Sequence, residues 1–250
     1  MTDEPTVSSE SFFARRPPLC FAHRGASGHS PENTLLAFRY AFELGADGIE
    51  CDVQLSADGA PVIIHDATVD RTTNGSGLVV DLSLEHLRAL DAGAGEQIPE
   101  LHEVLALCRE RNKLINLEVK ADTLEQADQV AKVVGKALEI GGYEDLALVS
   151  SFWHPPLVSL KSAYPQIRTA TLHSGARWRL LNMITAARSI GADAIHPEAR
   201  LTSRLLVERA HQAGFQVNVW TVDQPRDMRK LASWGVDGLF TNFPERIKQR

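Results

Sequence analysis

Residues 19–55, LCFAHRGASGHSPENTLLAFRYAFELGADGIECDVQL, hold one complete strand–helix–strand unit, and its repetition decides the fold. Leu19-Cys20-Phe21-Ala22 is an unbroken apolar run, expected as strand 19–23 buried on both faces. Pro31 is expected to open a helix at a position where its missing N–H is harmless. That helix is predicted to reach Leu44, with Gly45 ending it. Strand 48–55 then alternates: Glu50, Asp52 and Gln54 on one side, Ile49, Cys51 and Val53 on the other. Asp58-Gly59 is a hairpin signal, returning the chain antiparallel along Val62-Ile63-Ile64 to set His65 nearly opposite Asp52.

Beyond the hairpin, residues 67–98 show little periodicity and are rich in Gly, Thr, Asn and Asp, with one short helix expected near 83–90. An irregular stretch of that length inside a domain reads as a functional excursion over the site. Thereafter the beat is regular. Helices are expected at 100–111, 122–140, 155–163, 178–190, 202–213 and 225–234, and strands at 114–120, 146–152, 168–173, 194–198, 216–222 and 237–241, with a short helix at the C-terminus. Gly141, Gly191, Gly214 and Gly235 stand where helices should stop. With the hairpin's return strand set aside, eight strand–helix repeats point to a (β/α)₈ TIM barrel rather than a doubly wound open sheet. The expected organisation is an N-terminal tail over 1–18, with Phe12 and Phe13 available to dock, and one domain over 19–250.

The chain has a formal net charge of -6 and is 44% hydrophobic and 23% charged. This is ordinary globular composition, without the basic footprint of a nucleic-acid binder or a polybasic lipid patch. No apolar run is long enough for a membrane span, and no signal peptide is apparent. Cys20, Cys51 and Cys108 lack metal-type spacing and suit a reducing, cytoplasmic compartment.

In such a barrel the C-terminal strand ends carry the chemistry. Those ends hold His23, Arg24, Glu50, Asp52, Glu118, Lys120, Phe152, His196 and Trp220. Asn116, Glu118 and Lys120 share one face of strand 114–120. Three carboxylates converging from two strands, Glu50, Asp52 and Glu118, suit a hard divalent cation; without one they repel and raise a pKa. Arg24 and Lys120 suit a phosphate oxyanion, and His23 and His65 suit proton transfer near neutral pH. Together they describe metal-assisted phosphodiester cleavage. Glu32 reads equally as a first-turn helix acid or a brace for the site, and His196 as a substrate contact or a structural histidine. His29, His86, His102, His154, His173 and His211 read as structural or surface residues.

Five ordered motifs carry a resemblance: AHRGASGHSPENT, IECDVQLSADGAPVIIHD with RTTNGSG, LEVK, VNVWTVD, and WGVDGLFTN. From about Leu19 to Asn242 the chain resembles the glycerophosphodiester phosphodiesterases, especially compact bacterial cytoplasmic members. The resemblance implies a phospholipase C-like barrel, one Ca²⁺ or Mg²⁺ ion, and products glycerol 3-phosphate plus an alcohol. It places the catalytic histidines on His23 and His65, the metal ligands on Glu50, Asp52 and Glu118, the phosphate contacts on Arg24 and Lys120, and an aromatic wall on Phe152 and Trp220. The attacking group is left open between a water at the cation and the substrate's own 2-hydroxyl. The division of acid and base between the histidines, the alcohol, the cation and self-association are also open. A different diester substrate on the same fold, and a phosphate-binding protein without turnover, are the rival readings.

Overall fold

The computed structural model describes residues 18–175 and 180–247. Apart from Pro18, the expected tail lies outside them, as do the first two positions of the helix expected over 178–190.

The strands are β1 (Leu19–His23), β2 (Gly48–Leu55), β3 (Pro61–Ile63), β4 (Leu114–Val119), β5 (Ala147–Ser151), β6 (Arg168–His173), β7 (Ala194–Pro197), β8 (Gln216–Val219) and β9 (Gly238–Thr241). Helices α1 (Leu35–Glu43), α2 (Leu84–Ala89), α3 (Leu101–Glu110), α4 (Leu124–Gly141), α5 (His154–Ala163), α6 (Leu180–Ser189), α7 (Arg204–Gln212) and α8 (Pro225–Ser233) lie between them. Eight parallel strands run β1-β9-β8-β7-β6-β5-β4-β2, and β2 closes on β1, so the sheet is a (β/α)₈ TIM barrel. The expected hairpin is present: β3 pairs antiparallel with the end of β2, Val53 opposite Ile63 and Leu55 opposite Pro61.

Alternation sorts the side chains as the pattern requires. Ile49, Cys51 and Val53 of β2, with Ile115, Leu117 and Val119 of β4, join Phe38, Val104, Leu105 and Val130 of the helices in the main core. The opposite strand faces fill the barrel. Its lower layer is apolar, with Leu19, Phe21, Leu114, Leu148 and Phe240, and Phe21 stacks on Phe240 at 5.2 Å. Each such ring buried from water is worth about 1.5–3 kcal/mol. Toward the C-terminal strand ends this layer gives way to Glu50, Asp52, Asn116, His196 and Asn218, all buried.

A Gly-x-Asp device recurs on the opposite rim. Gly45, Gly191 and Gly235 take φ of 86°, 65° and 83° to close helices, a conformation an L side chain resists. The aspartates two residues later accept a backbone N–H from the neighbouring strand: Asp47 from Cys20, Asp193 from Thr169 and Asp237 from Val217, each at 2.8 Å.

Several expected boundaries shift: strand 216–222 ends early, at Val219, and two helix ends move with structural consequence. Helix α1 begins at Leu35, capped by the Thr34 hydroxyl, rather than at Pro31. The chain before it is drawn into the pocket instead: Asn33 sits at φ 58° and donates from Nδ2 to Asp52 Oδ2 at 2.8 Å. The left-handed cap of α4 falls on Gly142, φ 63°, one residue beyond Gly141. The excursion over 67–98 has a small core of its own, with Val69, Val79, Leu87, Ala92 and Ile98 packed under Val62 and Ile64.

Candidate active site

At the end of β1 the chain turns sharply, with Arg24 at φ 55°, a costly conformation for a residue with a long side chain. The turn is held from several sides. Arg24 donates its backbone N–H to Glu50 Oε2 at 3.0 Å and its Nη1 to Glu32 Oε1 at 2.9 Å, while Nε lies 3.3 Å from Asp52 Oδ2. His23 therefore faces the barrel mouth. Its Nδ1 is 2.8 Å from Asn242 Oδ1, and its Nε2 is 4.0 Å from Glu50 Oε2.

Strands β2 and β4 supply the acids. Asp52 lies opposite Glu118 in the register, and Glu50 opposite Asn116. Among the described residues, Glu50, Asp52 and Glu118 each offer a carboxylate oxygen, and these oxygens lie within 4.8 Å of one another. Lys120 Nζ stands 3.0 Å from Glu118 Oε1 and 3.8 Å from Asp52 Oδ1. Glu50 Oε1 is buried with no hydrogen-bond partner. Burial and repulsion from Asp52 and Glu118 push Glu50 well above the usual carboxylate range. Burial likewise pushes Glu118 up to about 7, against the pull of Lys120. Burial alone would favour neutral Arg24 and Lys120, but the surrounding carboxylates outweigh it and raise both.

His65 follows β3. Gln54 Nε2 lies within hydrogen-bond reach of the carbonyls of Ile64, His65 and Asp66, fixing the loop beneath it. The ring is gripped at both nitrogens, Nδ1 at 2.6 Å from Asp66 Oδ1 and Nε2 at 3.1 Å from Lys120 Nζ. His23, Arg24, Glu50, His65, Glu118 and Lys120 all line one cavity, whose other wall is Phe152 and Trp220. Asp52 lies just behind, 1% exposed. Phe152 and Trp220 meet edge to face at 5.7 Å, and Trp220 Nε1 donates to the His196 carbonyl at 2.8 Å. Phe152 is 41% exposed, so it is not a core residue. A second, wider groove shares His65 and Lys120 with the cavity and runs past Leu78, Val80 and Val130.

His196 lines the cavity floor with its Nε2 2.9 Å from Asn218 Nδ2, and burial holds it down to about 3, so the ring is neutral. Residues that sequence reading missed complete the arrangement: Asn33 on Asp52, Asn242 on His23, Asp66 on His65. Asp223 fixes Asn242, accepting from its Nδ2 at 2.7 Å and its backbone N–H at 2.8 Å. The Thr241-Asn242 pair at the end of the last strand was the available signal, since it closes the FTN motif. Glu32, left open between two readings, joins the site through Arg24.

A family model described as the glycerophosphoryl diester phosphodiesterase family matches residues 23–246. The chain is 40% identical over 236 residues to a glycerophosphodiester phosphodiesterase of Caldanaerobacter subterraneus subsp. tengcongensis, covering 92% of this chain and 96% of that one. A glycerophosphodiester phosphodiesterase of Bacillus altitudinis is 36% identical, with 90% and 95% covered. Among solved structures, an Oleispira antarctica phosphodiesterase in complex with the product sn-glycerol-3-phosphate superposes with a TM-score of 0.84 at 32% identity, covering 92% of this chain and 95% of that one.

Proposed function

Since this chain belongs to the glycerophosphoryl diester phosphodiesterase family, and is a phosphoric diester hydrolase, we propose that it cleaves glycerophosphodiesters to sn-glycerol 3-phosphate and an alcohol by metal-assisted acid–base catalysis. The observation that carries this reading is the triad of carboxylate oxygens within 4.8 Å of one another, in a cavity lined by both His23 and His65.

The donor set fits a hard divalent cation. Three acidic side chains face two basic ones, Arg24 and Lys120, which leaves one buried negative charge in excess. An unpartnered Glu50 oxygen and the raised Glu50 carboxyl are the signs of that excess. Glu50, Asp52 and Glu118 would hold one Ca²⁺ or Mg²⁺, which when bound supplies charge stabilisation for the phosphoryl oxygens. Arg24 and Lys120 donate to the phosphate beside it.

Hydrogen-bond geometry divides the histidines. Asp223, a pure acceptor, takes the Asn242 Nδ2 donor and so turns Asn242 Oδ1 toward His23. His23 Nδ1 must then carry the proton, leaving the Nε2 lone pair to act as base. Burial first, then the neighbouring Arg24 cation, lowers its pKa and keeps the ring neutral. His65 instead donates Nδ1–H to the Asp66 carboxylate, which orients its Nε2 into the cavity, and we assign it the part of general acid. His23 thus removes the proton of the attacking oxygen, and His65 delivers one to the departing alcohol. Phe152 and Trp220 form an apolar wall for the glycerol carbons.

The groove beside His65 lies where the alcohol leaves, and its Leu78 and Val80 come from the excursion, which makes that segment the determinant of head-group preference. Among the described residues no helix is long and apolar enough to cross a membrane, which fits a small free diester. All three cysteines are buried free thiols, in keeping with a reducing cytoplasm. The deciding experiment is hydrolysis of glycerophosphocholine with detection of glycerol 3-phosphate, before and after metal stripping. No turnover in the presence of added Ca²⁺ or Mg²⁺ would falsify the assignment.

A further inference from the structure

We propose that Arg71 is a positioning residue that couples the two sides of the catalytic cavity, holding His65 through Asp66 and Arg24 through Glu32. The inference rests on the roles given to His65 and Arg24 above.

Arg71 opens the RTTNGSG motif on the excursion, and it is not among the residues lining the catalytic cavity. Its guanidinium is nevertheless engaged along both edges. Nη1 donates to Glu32 Oε2 at 2.9 Å and Nη2 to Glu32 Oε1 at 2.7 Å, a bidentate pair. Nε donates to Asp66 Oδ2 at 2.5 Å. Each carboxylate passes the hold inward. Glu32 Oε1 accepts from Arg24 Nη1 at 2.9 Å, and Asp66 Oδ1 meets His65 Nδ1 at 2.6 Å. The result is a continuous chain, Arg24–Glu32–Arg71–Asp66–His65, whose two ends line the cavity.

The chemistry requires arginine at the centre. Two carboxylates brought side by side repel, and only a planar fork with several fixed donors can bind one bidentately and the other through Nε. A lysine ammonium supplies the charge but not the geometry. Arg71 keeps both carboxylates ionised and oriented, so His65 presents Nε2 to the cavity and Arg24 keeps its strained turn at φ 55°. The excursion is thereby part of the site's alignment, in addition to covering it.

The test uses the full chain with glycerophosphocholine and saturating divalent cation. R71A is expected to lose about 10²-fold in kcat, the scale of an ångström-sized misplacement, with KM nearly unchanged. R71K should stay low, while free guanidinium should restore part of the R71A rate. In R71A/D66A and R71A/E32A the losses should fall short of the product of the single losses. Nitrogen-15 spectra of histidine side chains should lose the hydrogen-bonded His65 Nδ1 proton in R71A. A raised KM at wild-type kcat would instead assign Arg71 to direct substrate contact and overturn the proposal. So would wild-type kinetics, or a kcat loss with no guanidinium recovery and an unchanged His65 resonance. Should R71A fail to fold, R71K and R71Q carry the same kinetic and spectroscopic readouts. A wild-type chain that turns over no glycerophosphodiester overturns the reading of the site, whereas the His65 resonance still reports whether Arg71 holds the ring.

Discussion

Asn242 Oδ1 lies 2.8 Å from His23 Nδ1 across 219 residues of sequence, joining the end of the last barrel strand to the end of the first. Asn242→Leu keeps the volume and removes the acceptor. It is expected to lower kcat while KM changes little, because the ring remains but its tautomer is no longer imposed. Steady-state kinetics beside His23→Ala give the scale: equal losses would mean the asparagine controls all of the histidine's contribution.

The two histidines should separate by leaving group. His23→Ala is expected to cost about 10²–10⁴-fold on every substrate, since the attacking oxygen always needs a base. His65→Ala should cost a similar factor on glycerophosphocholine but far less on a glycerophospho-p-nitrophenyl ester, whose phenolate departs without a proton. If His23→Ala is the variant rescued by the better leaving group, the roles are reversed.

Glu118→Gln should raise the cation concentration needed for half-maximal rate by more than about tenfold, since even outer contacts to a metal ligand cost 10–100-fold. It should also relieve buried repulsion with Asp52. The metal-free variant is therefore expected to melt no lower than metal-free wild type, a result thermal unfolding in chelator can check. A clear drop in that melting temperature would show that the Glu118–Lys120 pair at 3.0 Å outweighs the repulsion.

Glu32 gives a pH prediction with a definite sign. Burial alone would raise its pKa, but the bonds from Arg71 and Arg24 win and bring it from 4.5 to about 2. A depressed carboxyl contributes stability above its unfolded pKa and loses it as pH falls through the folded one. Wild type should therefore lose this contribution between pH 4.5 and about 2. Glu32→Gln should be less stable near neutrality and show a flatter acid limb in denaturant titrations. Parallel limbs would remove the carboxylate from the account.

The groove beside His65 offers a test of substrate choice. Leu78 and Val80 are 43% and 38% exposed, so Leu78→Ser with Val80→Ser should leave folding intact. The expected outcome is a lower kcat/KM for diesters of bulky apolar alcohols relative to glycerophosphoglycerol. An unchanged ratio across a panel of alcohols would place head-group recognition elsewhere.

The strand-borne part of the site was legible because a strand's period of two is strict. Once 48–55 and 114–120 were read as strands, Glu50, Asp52 and Glu118 had to share the inner face, and they do. Residues placed by turns were harder to read. Asn33 reaches Asp52 only because its backbone adopts φ 58°, which shortens α1, and no hydrophobic pattern encodes that choice. Arg71 reaches Glu32 across 39 residues, and Asn242 meets His23 through barrel closure, so these partners become neighbours only in three dimensions. The small core under the excursion was hidden for the same reason: Val69, Val79 and Leu87 lack a common period but meet in the fold.

The Gly-x-Asp device on the rim away from the cavity separates endurance from chemistry. Asp47, Asp193 and Asp237 bolt neighbouring staves together at the foot of the barrel, where no reacting group reaches. An engineer could therefore harden the molecule from below, or loosen it, and leave the catalytic mouth's preferences as they stand.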